Sequence, residues 1–167
     1  MLSFDIRSLE STPERVDDHL ATDDPVWEEG DPRPSQPLHV TGRVSSAGSG
    51  RFYFSGQMAG DVALECRRCL TDVTAPVSAE LHLIFAEAGD EEIEDPDVYS
   101  IDPQESELDL RPAIREEWLL SVPAFVLCRE DCKGLCASCG ADLNEDPTHS
   151  HAAADPRWNA LRGLAEQ

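Results

Sequence analysis

Six cysteines and a nearby pair of histidines are the residues whose types and spacing can do chemistry. Four of the cysteines fall within twelve residues, Cys128-Arg-Glu-Asp-Cys132-Lys-Gly-Leu-Cys136-Ala-Ser-Cys139. Gly140 follows, and ten residues past Cys139 comes His149-Ser-His151. The other two cysteines form Cys66-Arg-Arg-Cys69. A chain of 167 residues can bury a core without disulfide staples. Cysteines this dense therefore point to metal coordination.

Thiolate and neutral imidazole suit zinc, which takes four such ligands in a tetrahedron when its role is structural. Cys136-x-x-Cys139-Gly140 has the form of a knuckle, a tight turn that sets two sulfurs on one side of a metal while the glycine lets the backbone fold beneath them. The second pair of ligands comes either from Cys66 and Cys69 or from Cys128 and Cys132, with His149 and His151 as further candidates. Eight donors exceed the needs of one ion, so the reading allows one Zn(2+) or two.

Other chemistries fit less well. No His-x-Glu or His-Glu-x-x-His is present to supply the general base of a catalytic zinc site, and no glycine loop is present to cradle phosphate. A redox role for Cys66-x-x-Cys69 would require a helix N-terminus to lower a thiol pKa, yet the pair follows a strand pattern. The expectation is a non-enzymatic protein with no small-molecule substrate.

The elements that must position these donors read as follows. Leu2 to Ile6 alternates as a short half-buried strand with Phe4 and Ile6 inward. Residues 11–37 carry five prolines among many acids and read as loop, with a short helix at Glu14 to Leu20 after Pro13. From Leu38 to Phe85 the pattern is β, with strands at 38–44, 51–55, 61–65, around Val73 and at 77–85. His39 and His82 lie on these strands and read as surface or packed side chains rather than ligands. Short strands between glycine and polar turns predict an antiparallel sheet, one able to curl into a small barrel. Residues 87–97 hold seven acids in eleven and read as a solvated loop. Val98 to Ile101 reads as a strand. Glu107 to Leu110 leads into a helix over about 110–121, with Pro112 in its first turn and Leu110, Ile114 and Trp118 on one stripe, covering the sheet. A last helix starts at Asp155-Pro156, with Trp158, Leu161 and Leu164 aligned. The class is α+β, with a β-rich body over 1–123 and a zinc-binding module plus short helix over 124–167.

The net charge of −21 constrains partners. It repels a nucleic-acid backbone at long range, although screening within about 8 Å lets a local patch act alone. Arg51, Arg67, Arg68, Arg129 and Lys133 form the candidate patch for RNA. No apolar run approaches the roughly 18 residues of a membrane span. The opening Met-Leu-Ser-Phe-Asp-Ile-Arg has no basic leader or apolar core of a signal, which predicts the reducing cytoplasm, where thiols stay free or bind metal.

Cys66-Arg-Arg-Cys69-Leu70, the acid-Leu-Asp-Leu lead into a helix before Leu110, the string from Cys128 through Cys139-Gly-Ala-Asp-Leu-Asn144, and Asp155-Pro-Arg-Trp158 together resemble the YceD family, in order and across most of the chain. The resemblance implies a part in the accumulation of large-subunit (23S) ribosomal RNA in bacteria, with relatives in plastids. It also implies that Cys66 and Cys69 form a pair found even in members without the C-terminal cluster. Other members end that cluster with Cys-x-Cys, where His149-Ser-His151 stands here, so the resemblance implies imidazole ligation. The expected role is an accessory factor for the pre-ribosomal large subunit, contacting rRNA through the arginines or a basic ribosomal protein through the acidic surface. The rival is a zinc- or thiol-responsive regulatory protein whose C-terminal segment unfolds on metal loss.

Overall fold

The computed structural model describes residues 2–87, 98–102 and 104–151. The acidic stretch beyond Glu87 and the helix expected from Asp155 lie outside the described residues. The element order is β1 (Ser3–Asp5), α1 (Ile6–Ser11), β2 (Glu14–Leu20), β3 (Leu38–Gly48), β4 (Arg51–Glu65), β5 (Asp72–Glu87), β6 (Val98–Ile101), β7 (Glu107–Asp109) and α2 (Arg111–Ser121).

Five strands form one sheet in the order β2-β3-β4-β5-β6, antiparallel except for the parallel pairing of β5 with β6. A separate two-stranded ribbon pairs β1 with β7. The sheet does not curl into a barrel, because its outer strands β2 and β6 each have one neighbour and do not meet. Alternation along the strands leaves one broad apolar face, and α2, α1 and the loop over 21–37 cover it. The helix expected at Glu14 to Leu20 is instead strand β2, with Val16 and Leu20 buried and Arg15, Asp17 and His19 exposed. Pairing with all of Leu38 to Val44 overrides the proline start signal. The first helix lies upstream, where the Asp5 carboxylate accepts the Ser8 backbone N–H at 2.8 Å as its cap.

The pieces expected at 51–55 and 61–65 are one strand of 15 residues, and those at 73 and 77–85 one of 16. Gly42 and Gly56 sit opposite each other on β3 and β4. A Cβ on Gly42 would lie 2.5 Å from the Ser55 carbonyl oxygen, and one on Gly56 would run into the Thr41 carbonyl oxygen and the Phe54 ring. The two glycines thus let Phe54 fold over the strands without interrupting them.

Helix α2 occupies the predicted place. Leu110, Ile114 and Trp118 are fully buried against Phe52, Phe54, Met58, Leu81 and Leu83. The Trp118 indole Nε1 donates to the Pro32 carbonyl at 2.6 Å. Arg115 grips Asp31 through two bonds of 2.7 and 3.0 Å. The proline-rich loop is thereby fastened to the helix. No helix among the described residues is long and apolar enough to cross a membrane.

Candidate metal centre

Strands β4 and β5 pair along their whole length from Arg51↔Ala86 to Glu65↔Asp72. The residues left to close the hairpin are Cys66-Arg-Arg-Cys69-Leu70-Thr71, so the first cysteine pair caps the two longest strands. Its backbone is a knuckle. Cys66 N–H donates to the Thr71 carbonyl at 2.8 Å, and Leu70 N–H donates to the Cys66 carbonyl at 2.9 Å, with Leu70 at φ 60°. The second pair repeats this. Cys136 N–H donates to the Ala141 carbonyl at 2.8 Å and Gly140 N–H to the Cys136 carbonyl at 2.8 Å, with Gly140 at φ 76°.

Such a turn also aims N–H groups at the first sulfur. Burial opposes ionisation of Cys66, but the backbone N–H groups of Cys128, Cys69 and Arg68 outweigh it and hold the thiol at about 6. The Ser138 and Cys139 N–H groups bring Cys136 down to about 6 in the same way. Thr71, whose Oγ1 lies 3.3 Å from Cys69 Sγ, lowers Cys69. Cys128 is pushed up to about 12, first by Cys69 beside it and then by burial. A cation is the partner that lets neighbouring sulfurs such as Cys66, Cys69 and Cys128 ionise together.

Among the described residues, two groups of soft donors converge, each within 4.8 Å. One is Cys66, Cys69, Cys128 and Cys132; the other is Cys136, Cys139, His149 and His151. The knuckle at Cys136 therefore does not oppose the one at Cys66. Chain direction explains the partition. Arg67 N–H donates to the Val126 carbonyl at 3.0 Å and Arg67 Nε to the Ala124 carbonyl at 3.1 Å, which lays residues 124–126 along the hairpin tip. Cys128 and Cys132 then arrive first. Sγ separations are 3.5 Å for Cys69 and Cys128 and 3.9 Å for Cys66 and Cys132. A tetrahedron with metal–sulfur bonds of about 2.3 Å has edges of about 3.8 Å. Cys66 and Cys132 are buried, and Val73, Leu127 and Leu135 pack around the group.

The second group forms on the chain that continues from the first. Leu135 N–H donates to the Arg68 carbonyl at 3.0 Å, and Gly134, at φ 75°, sits so close that a Cβ would lie 2.7 Å from the same oxygen. Cys139 Sγ is 3.2 Å from Nε2 of both His149 and His151, and the two Nε2 atoms are 2.9 Å apart.

One residue to which the sequence reading gave no role braces the thiolate group. Asn144 Nδ2 donates to Cys132 Sγ at 3.6 Å, and its Oδ1 accepts from Lys133 N–H at 2.9 Å and Arg129 Nη2 at 2.7 Å. The signal for it was Asp142-x-Asn144, a turn in which Asp142 Oδ1 accepts the Asn144 N–H at 2.8 Å.

The arginines of the candidate RNA patch also have structural partners. Arg68 Nη1 donates to the carbonyls of Cys132 at 2.7 Å and Glu130 at 3.3 Å. Arg129 Nε pairs with Asp131 at 3.3 Å. Arg67, Arg68, Arg129 and Lys133 are gathered at the cysteine groups. Arg51 begins β4, about 50 Å of extended strand from Cys66. His39 and His82 are exposed on the sheet, bonded to Asp17 at 2.9 Å and to the Tyr53 hydroxyl at 2.7 Å.

Residues 54–165 match the family model described as large ribosomal RNA subunit accumulation protein YceD. The chain is 36% identical over 122 residues to the uncharacterized protein Rv2926c of Mycobacterium tuberculosis, covering 71% of this chain and 58% of that protein. It is 30% identical over 141 residues to the uncharacterized protein YlbN of Bacillus subtilis, covering 82% of this chain and 79% of that one. A Zea mays protein named large ribosomal RNA subunit accumulation protein YCED homolog 1, chloroplastic, is 27% identical over 153 residues, covering 75% and 51%. The chain thus spans about 58% of the length of the mycobacterial relatives. No solved structure matches it. With the family model running from near the start of β4 through both cysteine groups, the chain belongs to the YceD family.

Proposed function

We propose that this chain is a non-enzymatic accessory factor for maturation of the large ribosomal subunit, acting in the cytoplasm on 23S rRNA synthesis, processing or stability. The observation that carries the reading is the family match over residues 54–165, joined to the printed name of the maize relative. Zinc at Cys66, Cys69, Cys128 and Cys132 is the proposed brace. Four thiolates suit zinc and complete its tetrahedron, which supports a structural ion with no position left for an activated water. Such a brace fixes the segment after α2 to the hairpin tip, so that both present one rigid surface.

A basic ribosomal protein is the favoured contact. The net charge of −21 supports it. So does the bonding of Arg67, Arg68 and Arg129 to carbonyls and side chains of the module itself. Depletion of the protein in its own host tests the reading. Precursor 23S rRNA should accumulate and free large subunits should fall relative to small ones, and unchanged rRNA and subunit profiles would refute it. Capture on a tagged copy at low salt should retain basic large-subunit proteins. Retention of naked rRNA with a steep salt dependence would instead point to phosphate contacts.

A further inference from the structure

We infer that Cys136, Cys139, His149 and His151 hold a second metal ion, a borderline divalent cation of the zinc class. It is bound independently of the ion at the buried thiolates and exchanges more readily. The inference stands apart from the ribosomal reading and would survive its failure.

The convergence of these four donors has no apolar cause. Cys139 and His151 are exposed, Cys136 and His149 are partly so, and no side chain from 136 to 151 is buried. The hydrophobic effect that gathers Cys66 and Cys132 is therefore missing here. Hydrogen bonding does not explain the cluster either. The two imidazole Nε2 atoms and Cys139 Sγ form a triangle with edges of 2.9, 3.2 and 3.2 Å. An imidazole nitrogen carries either one proton or one lone pair in the ring plane, so it can address a single partner well. Each Nε2 here faces two partners at once. A cation at their common centre satisfies every lone pair, with the two rings set edge to face at 82°.

The backbone prepares the same geometry. Gly140 at φ 76° closes the knuckle that holds both sulfurs. His149 N–H donates to the Asp146 carbonyl at 3.2 Å, and Asp146 Oδ1 accepts from Thr148 Oγ1 at 2.8 Å, a turn that brings the His-x-His pair back toward Cys139. Taking up zinc would spread the edges only to about 3.3–3.5 Å, as bonds of about 2.0 Å to nitrogen and 2.3 Å to sulfur require.

The two sets differ in what holds them. Three of the four sulfurs in the first set, Cys66, Cys69 and Cys132, lie in a buried cluster, and the Sγ spacings of 3.5 and 3.9 Å are already close to those of a zinc tetrahedron. The Cys2His2 set has half the thiolate and faces solvent, so a competing chelator reaches its ion directly. Loss of that ion frees residues 145–151 and leaves the sheet, the Asn144 bond to Cys132 and the thiolate clamp in place.

The test uses the full chain. Metal analysis of zinc-loaded protein should find two ions, and the double variant His149→Ala, His151→Ala should retain one with the thermal unfolding of the sheet unchanged. A chromogenic chelator should draw zinc from the unaltered protein in two phases of equal amplitude, with the fast phase absent from the double variant. Cobalt(II) loading should give two distinguishable visible spectra, of which the variant keeps the thiolate-rich one. The inference is overturned by a single ion per unaltered chain, by a variant that still binds two, or by release of both ions in one phase. Cys66→Ser, which removes a donor of the other set, should abolish the slow phase and spare the fast one; loss of both phases would show one coupled centre and would also overturn it.

Discussion

Leu70 and Gly140 occupy the same place in two copies of one turn. Each follows the second cysteine of a Cys-x-x-Cys, has a left-handed backbone, at φ 60° and 76°, and donates its N–H to the carbonyl of the first cysteine. Only one is a glycine. Leu70 holds a conformation that costs an ordinary residue roughly 1–2 kcal/mol, and its side chain is 58% exposed, with little burial in return.

Leu70→Gly should therefore raise stability by about 0.5–1 kcal/mol, the relief of strain less the added freedom of the unfolded chain. Gly140→Ala should lower it by about 1 kcal/mol, from backbone alone, since no atom lies within 4 Å of the added Cβ. Urea unfolding of the metal-loaded variants measures both, and equal signs would contradict the equivalence of the two turns.

Gly134→Ala is expected to cost more, about 2–3 kcal/mol. The left-handed φ and the clash with the Arg68 carbonyl oxygen act together, and the bond from Leu135 N–H to that oxygen is lost with them. Hydrogen exchange should show the change between residues 134 and 151 first, with β3 to β5 protected as before.

Asn144→Ala should weaken zinc binding at Cys66, Cys69, Cys128 and Cys132 by about 10–100-fold, the usual effect of losing an outer-shell partner. The variant removes the N–H donated to Cys132 Sγ and leaves the Lys133 N–H without its acceptor. Competition against a chelator of known affinity measures it. An unchanged constant would mean that the 3.6 Å contact has no part in tuning the sulfur.

Trp118→Phe should destabilise the fold by about 1–3 kcal/mol, because the Pro32 carbonyl loses its donor inside the core and a gap opens beside it. Thermal unfolding reads the loss.

Acid should act through Asp31. The bond from Arg115 holds its carboxyl below the ordinary 3.8, with Glu28 N–H adding to the effect against burial. A depressed carboxyl contributes stability that is present above its unfolded pKa and is lost as pH falls through the folded value. The stability gap between the unaltered protein and Asp31→Asn should be full at neutral pH and should close below about pH 4. A gap that is constant with pH would show that charge is not what Asp31 supplies.

Helix α2 was legible because a stripe of Leu110, Ile114 and Trp118 has one period and one possible use, and the structure buries all three. The strands from Leu38 to Phe85 were legible from alternation, but their lengths were not, since Gly56 and Gly60 read as breaks until Phe54 and Trp118 are seen packed against them. Glu14 to Leu20 misled for a related reason. Seven residues with two buried positions fit either period, and the choice was made by the backbone of β3 rather than by anything local.

The eight metal-donor types, the knuckle at Cys136, and the family resemblance were all determined by sequence, because ligand chemistry and turn-forming glycine are local properties. Which donor meets which was decided only by tertiary structure. Spacing along the chain allows Cys66 and Cys69 to pair with either C-terminal couple. The hairpin places them where residues 124–132 must pass first, so Cys128 and Cys132 take the places beside them and leave Cys136 and Cys139 to the histidines. A pairing between residues some 60 positions apart is a fact of chain path, which no local pattern encodes.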